Sequence, residues 1–111
     1  CDCCCFGHFE SYVGGSGIDK IYHQKGENIS DPVIWDEISR HLAMALNNTI
    51  VHWAPDIIIL GGSVVKSLPL DNAKKHLSTM LKAVTDIPDI VPAKLGDEAG
   101  LYGALHLLTD N

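Results

Sequence analysis

After its fifth residue the chain contains no cysteine. Four thiols crowded into the first five positions cannot staple distant loops, which excludes the disulfide framework of a small secreted domain. Long apolar runs are also missing, so no segment approaches the ~20 residues that a helix needs to cross a bilayer. Basic residues are scarce. Eight Lys and Arg against fourteen Asp and Glu give a net charge of −6, which argues against a nucleic-acid surface within this segment. There is no internal repeat, no low-complexity tract and no secretory signal pattern. At 111 residues the chain is one domain or a piece of one. It has no initiator methionine and opens inside a cysteine-rich motif, so we expect the C-terminal part of a longer protein.

The periodicity alternates helix and strand. Residues 9 to 23 read as a short helix, a glycine-rich break at Gly14-Gly15-Ser16-Gly17, and a further helical turn or two. Gly26 to Ser30 is a polar loop. Ser30 or Asp31 can cap the next helix, with Pro32 in its first turn. Along that helix Ile34, Ile38, Leu42, Leu46 and Ile50 recur at every fourth residue, and Trp35, Ala45 and Trp53 widen the apolar stripe. Pro55 ends it. Asp56-Ile57-Ile58-Ile59-Leu60 reads as a strand buried on both faces, as in a parallel sheet. A helix over 70–84, a short strand over 87–92 and a last helix over 97–108 complete an α/β order. Gly100 and Gly103 on the last helix predict close approach to a neighbouring backbone.

Three stretches carry chemistry. The first is Cys1-Asp2-Cys3-Cys4-Cys5-Phe6-Gly7-His8-Phe9-Glu10. Cys1 and Cys3 can turn two thiolates toward one cation, Gly7 allows a tight reversal, and His8 offers an imidazole. Sulfur with imidazole is a ligand set that suits zinc. Cys4 or Cys5 remains open as a further thiolate. Taken alone, Glu10 is a helix-terminal acid favoured by the helix dipole. The second stretch, Gly61-Gly62-Ser63 after the isoleucine strand, lets a ligand approach the backbone at the carboxyl edge of a sheet. A glycine pair after a strand is otherwise a plain turn. The third is Ala99-Gly100-Leu101-Tyr102-Gly103-Ala104, whose small residues suit close helix packing.

The first stretch resembles the zinc motif CxCGxxGCxE of the ROK family of sugar kinases and sugar-responsive repressors. Cys1 and Cys3 match its first two cysteines, Gly7 its second glycine and Glu10 its glutamate. Cys4 stands in place of the first glycine, and His8 in place of the third cysteine, which keeps a zinc ligand. Pro55 and Gly61-Gly62-Ser63 resemble the family's strand and glycine turn beside the nucleotide, with Ser63 replacing a frequent third glycine. The stretch from Ala99 to Ala104 resembles its closing AGLxGA segment.

The resemblance implies the ribonuclease H-like, actin/hexokinase-type α/β fold, with helices packed on a mostly parallel sheet. Residues 1–10 would form the zinc loop and residues 11–111 the rest of a single C-terminal fragment. It implies Cys1, Cys3 and His8 as ligands of a structural zinc, with a histidine upstream as the fourth. It implies Glu10 as a sugar contact, and Gly61, Gly62 and Ser63 as the nucleotide side. The intact protein would transfer the terminal phosphoryl group of Mg-ATP to a sugar hydroxyl, with an upstream aspartate as base. The fragment alone would be inactive. The alternative is the sugar-sensing domain of a ROK-type repressor. A cytoplasmic location and a homo-oligomer are expected, with no membrane partner. Substituting Gly62 by valine is expected to block the nucleotide and leave the melting behaviour close to normal.

Overall fold

A computed structural model describes residues 7–82 and 86–109. Its helices are α1 (Glu10–Val13), α2 (Gly15–Tyr22), α3 (Pro32–Trp53), α4 (Leu70–Met80) and α5 (Ala99–Thr109), and its strands are β1 (Ile57–Leu60) and β2 (Asp89–Pro92). Short 3-10 turns stand at Gly26–Asn28, Ser63–Lys66 and Gly96–Glu98.

Helix α3 organises the chain. Asp31 caps it by accepting a hydrogen bond from the Val33 N–H at 2.8 Å, and Pro32 occupies the first turn, where a missing N–H costs nothing. The fourfold spacing puts Ile38, Leu42, Leu46 and Ile50 on one buried face, joined by Trp35 and Ala43. Two polar groups on that face are satisfied locally. The Trp35 indole N–H donates to the Ile29 carbonyl at 2.9 Å, and the Ser39 hydroxyl donates to the Trp35 carbonyl at 2.7 Å. Ala54 ends the helix in the left-handed region at φ 45°, and Pro55 prevents its resumption.

Against this face packs α4 through Ala73 and Leu77, and α2 adds the fully buried Ile18. On the outer side of this contact, His76 Nε2 of α4 lies 2.9 Å from Asp36 Oδ1 of α3. Strands β1 and β2 pair in parallel, Ile58 beside Ile90 and Leu60 beside Pro92. One face of this small sheet, Ile58, Leu60 and Ile90, closes the core.

Several expectations are corrected. β1 is covered on one face, not two, for Ile57 and Ile59 are exposed and only Ile58 and Leu60 turn inward. Trp53 does not widen the stripe of α3, because it stands one turn past Ile50 at the helix end and is 81% exposed. The predicted close approach at Gly100 and Gly103 does not occur among the described residues. α5 buries no side chain, and a Cβ at either glycine would meet nothing within 4 Å.

Candidate functional site

The glycine run that reads as a break in the sequence is a close-packed joint. A Cβ on Gly14 would stand 2.6 Å from the Glu10 carbonyl oxygen and 2.9 Å from Glu10 Cγ. A Cβ on the buried Gly17 would collide with the Ser11 carbonyl oxygen. Glycine therefore lets α2 turn back directly onto α1. Helix α1 is also fixed to α3, where the Tyr12 and His41 rings lie 4.8 Å apart. Burial, reinforced by the Arg40 charge and opposed by Glu37, holds the His41 imidazole below its ordinary pKa. Burial and the neighbouring Glu37 carboxylate, to which the Tyr22 hydroxyl donates at 3.2 Å, raise the Tyr22 phenol above its usual value.

This joint sets Glu10 at the exposed start of α1. His8 is exposed two residues earlier, and its carbonyl accepts the Ser11 N–H at 3.0 Å. Gly7 adopts φ +80°, a left-handed conformation that favours glycine. Cys1 and Cys3 lie outside the described residues, as do Cys4 and Cys5. Among the described residues no three His, Cys, Asp or Glu side chains gather around one point.

The turn after β1 opens onto two hollows. Gly61 and Gly62, with Lys66, Ala93 and Gly96, line a small one of about 100 Å³ beyond the carboxyl ends of both strands. Gly62 has φ 103° and ψ 163°, a conformation open essentially to glycine alone. Gly61 has no such demand, and a Cβ there would rest 3.8 Å from Ala93 Cβ. Ser63 faces the other way. It lines a cleft of about 340 Å³ with Ser16 and Asp19 of α2, Lys25 and Glu27 of the following loop, and Ser67. The three residues proposed for the nucleotide thus straddle one turn with a hollow on either side, and Glu10 belongs to neither hollow. The joint at Gly14–Gly17 ties it to the larger one through the start of α2.

The sequence pattern of the ROK family matches residues 1–111. The chain belongs to the ROK family. It is similar to an N-acetyl-D-glucosamine kinase of Photobacterium profundum, 29% identical over 96% of this chain and 41% of that protein. A fructokinase of Pediococcus pentosaceus is 32% identical over 88% of this chain and 36% of that protein. An N-acetyl-D-glucosamine kinase of Pectobacterium atrosepticum is 29% identical over 97% of this chain and 41% of its own length. The chain therefore spans about two fifths of these relatives.

Family membership agrees with the α/β layering, helices on a small parallel sheet. Sequence reasoning missed Ser16, Asp19, Lys25 and Ser67. The available signal was the serine inside the glycine run, since a break that packs this tightly also exposes the first turn of the helix behind it.

Proposed function

We propose that this chain is the C-terminal part of an ATP-dependent sugar kinase with the ribonuclease H-like, actin/hexokinase-type fold. One observation carries the reading. At the carboxyl edge of the parallel strands, Gly62 is held in a glycine-only conformation with no side chain between its backbone and the small hollow it lines, and the next residue, Ser63, lines the larger cleft. Open α/β sheets receive ligands at this edge, and glycine admits close approach of a phosphate to backbone N–H groups. The names of the similar kinases support phosphoryl transfer to a sugar hydroxyl over sugar sensing by a repressor.

Glu10 is the sugar contact in this reading. Its carboxylate can accept hydrogen bonds from neighbouring hydroxyls, and the α1–α2 joint fixes the backbone that carries it. Gly61, Gly62 and Ser63 form the nucleotide side. Cys1, Cys3 and His8 would hold a structural zinc, which would brace the loop leading into Glu10. The donor chemistry fits zinc, and the left-handed φ of Gly7 is compatible with a turn beside His8. No acid of this chain is assigned the role of base.

Calorimetric titration of the intact protein and its Glu10→Ala variant tests the reading. The ligands are ATP and a panel of hexoses and N-acetylated amino sugars. The variant should lose sugar affinity, on the order of 1–3 kcal/mol for each hydroxyl left unpaired. Its ATP affinity should stay unchanged. Equal binding of every sugar by both proteins would return Glu10 to a helix-terminal acid.

A further inference from the structure

We infer that the cleft between α2 and the Ser63 turn receives the nucleoside part of the nucleotide, and that Asp19 is the residue that reads its ribose hydroxyls. This rests on the nucleotide reading above and adds a division of labour within it. The cleft, at about 340 Å³, falls in the size range of small-ligand sites. Among the described residues its charged groups are Asp19, Glu27 and one lysine, Lys25. Two carboxylates against one ammonium would repel a triphosphate. They suit a ligand portion that presents hydroxyl and amino donors.

The phosphates have another place. The Gly61–Gly62 hollow lies across the turn, and among the described residues that line it the ionisable side chain is that of Lys66. A nucleotide crossing the turn would leave its phosphates at Gly61 and Gly62 and bring its sugar to Ser63. From Ser63 the opposite wall of the cleft is the exposed side of α2, carrying Ser16 and Asp19. Gly15, also in that wall, adds no side chain to obstruct it, and its missing Cβ would reach only Val64 Cγ2 at 3.8 Å.

Asp19 is favoured over Glu27 because its backbone is better fixed. It follows the fully buried Ile18 and the buried Gly17 on α2, whereas Glu27 sits in a three-residue 3-10 turn with no buried residue. Among the described residues Asp19 has no hydrogen-bond or ion-pair partner, so both oxygens are open to acceptor roles. A carboxylate so placed can accept from the 2′- and 3′-hydroxyls together. Removing the 2′-hydroxyl deletes one of those bonds, which gives the cleft a preference for ribonucleotides.

The test is titration of the intact protein that contains these 111 residues with ATP, 2′-deoxyATP and adenosine. The proteins are wild type, Asp19→Ala, Asp19→Asn and the remote control Asp71→Ala, with far-ultraviolet circular dichroism to confirm folding. Wild type should favour ATP over 2′-deoxyATP by about tenfold, the equivalent of one hydrogen bond. Asp19→Ala should bring that ratio close to one by weakening ATP alone, Asp19→Asn should retain part of it, and Asp71→Ala should keep it. Equal binding of ATP and 2′-deoxyATP by wild type, or an undiminished ratio in Asp19→Ala, overturns the assignment of Asp19 and leaves the nucleotide site standing. Absence of binding by both ATP and adenosine overturns the nucleotide reading itself, and this inference with it.

Discussion

Glu10 rests against Gly14. A single carbon added at Gly14 would stand 2.9 Å from the Cγ of Glu10 and 2.6 Å from its carbonyl oxygen. The glycine thus keeps both the path of α1 and the root of its carboxylate side chain.

Gly14→Ala should therefore act at two levels. The backbone at Gly14, φ −77° and ψ 150°, is open to alanine, so the cost is steric. Displacing α1 should lower stability by about 1–3 kcal/mol, the usual range for overpacking. Sugar affinity should fall with it, because Glu10 moves, while ATP affinity changes less. Chemical denaturation and titration of the same samples would measure both.

Gly62→Ala and Gly61→Ala should part company. With φ at 103°, alanine at 62 meets backbone strain of roughly 1–3 kcal/mol, and valine more. This corrects the expectation that a side chain at Gly62 would leave melting close to normal. Alanine at 61 meets only an ordinary contact with Ala93 and should melt near wild type. Comparing the two melting temperatures without ligand isolates the strain.

The elements that could be read from the sequence were those whose signals are local. Asp31, Pro32 and the repeat of isoleucine and leucine fix the start and buried face of α3 before any other element is considered. The strand at Ile57 to Leu60 was equally plain, as was its stop at Gly61. What failed depended on partners. Ile57 and Ile59 look like core until the opposite face is found uncovered, and Trp53 looks like core until its angular position at the helix end is known. The larger cleft joins residues 15–19, 25–27 and 63–67, a juxtaposition that no sequence period encodes. Glycine at 14 and 17 was visible, but its role as a joint depends on where α1 lies.

Trp35→Phe should keep most of the buried apolar area and remove the indole donor. The Ile29 carbonyl, 2.9 Å from that nitrogen, would lose its partner. The expected loss is about 1–3 kcal/mol in urea unfolding, the cost of stranding a buried polar group. A smaller loss would mean that water replaces the donor.

His41 should make stability depend on acidity. Its folded-state pKa is depressed by burial first and by Arg40 second, with Glu37 opposing. As pH falls through the ordinary value of 6.5, the unfolded chain takes up the proton before the folded one. The stabilisation is complete above 6.5 and declines as the pH drops toward the folded-state pKa. His41→Phe retains a ring against Tyr12 and removes the buried Nδ1, which has no partner among the described residues. The variant should match or exceed wild type at neutral pH and show a shallower fall in melting temperature under mild acid.

The exposure of α5 carries a kinetic consequence. It has eleven residues and buries no side chain among the described residues, and a helix of fewer than ~12–15 residues that gains little from packing is marginal in water. Its amide hydrogens would then exchange with solvent at nearly the rate of an open peptide. Those around Ile38, Leu42 and Leu46, locked into the core, would wait for unfolding of the whole chain. A single deuterium-exchange time course on this chain would consequently resolve two populations, one emptied within the first time points and one that reports the global free energy of folding.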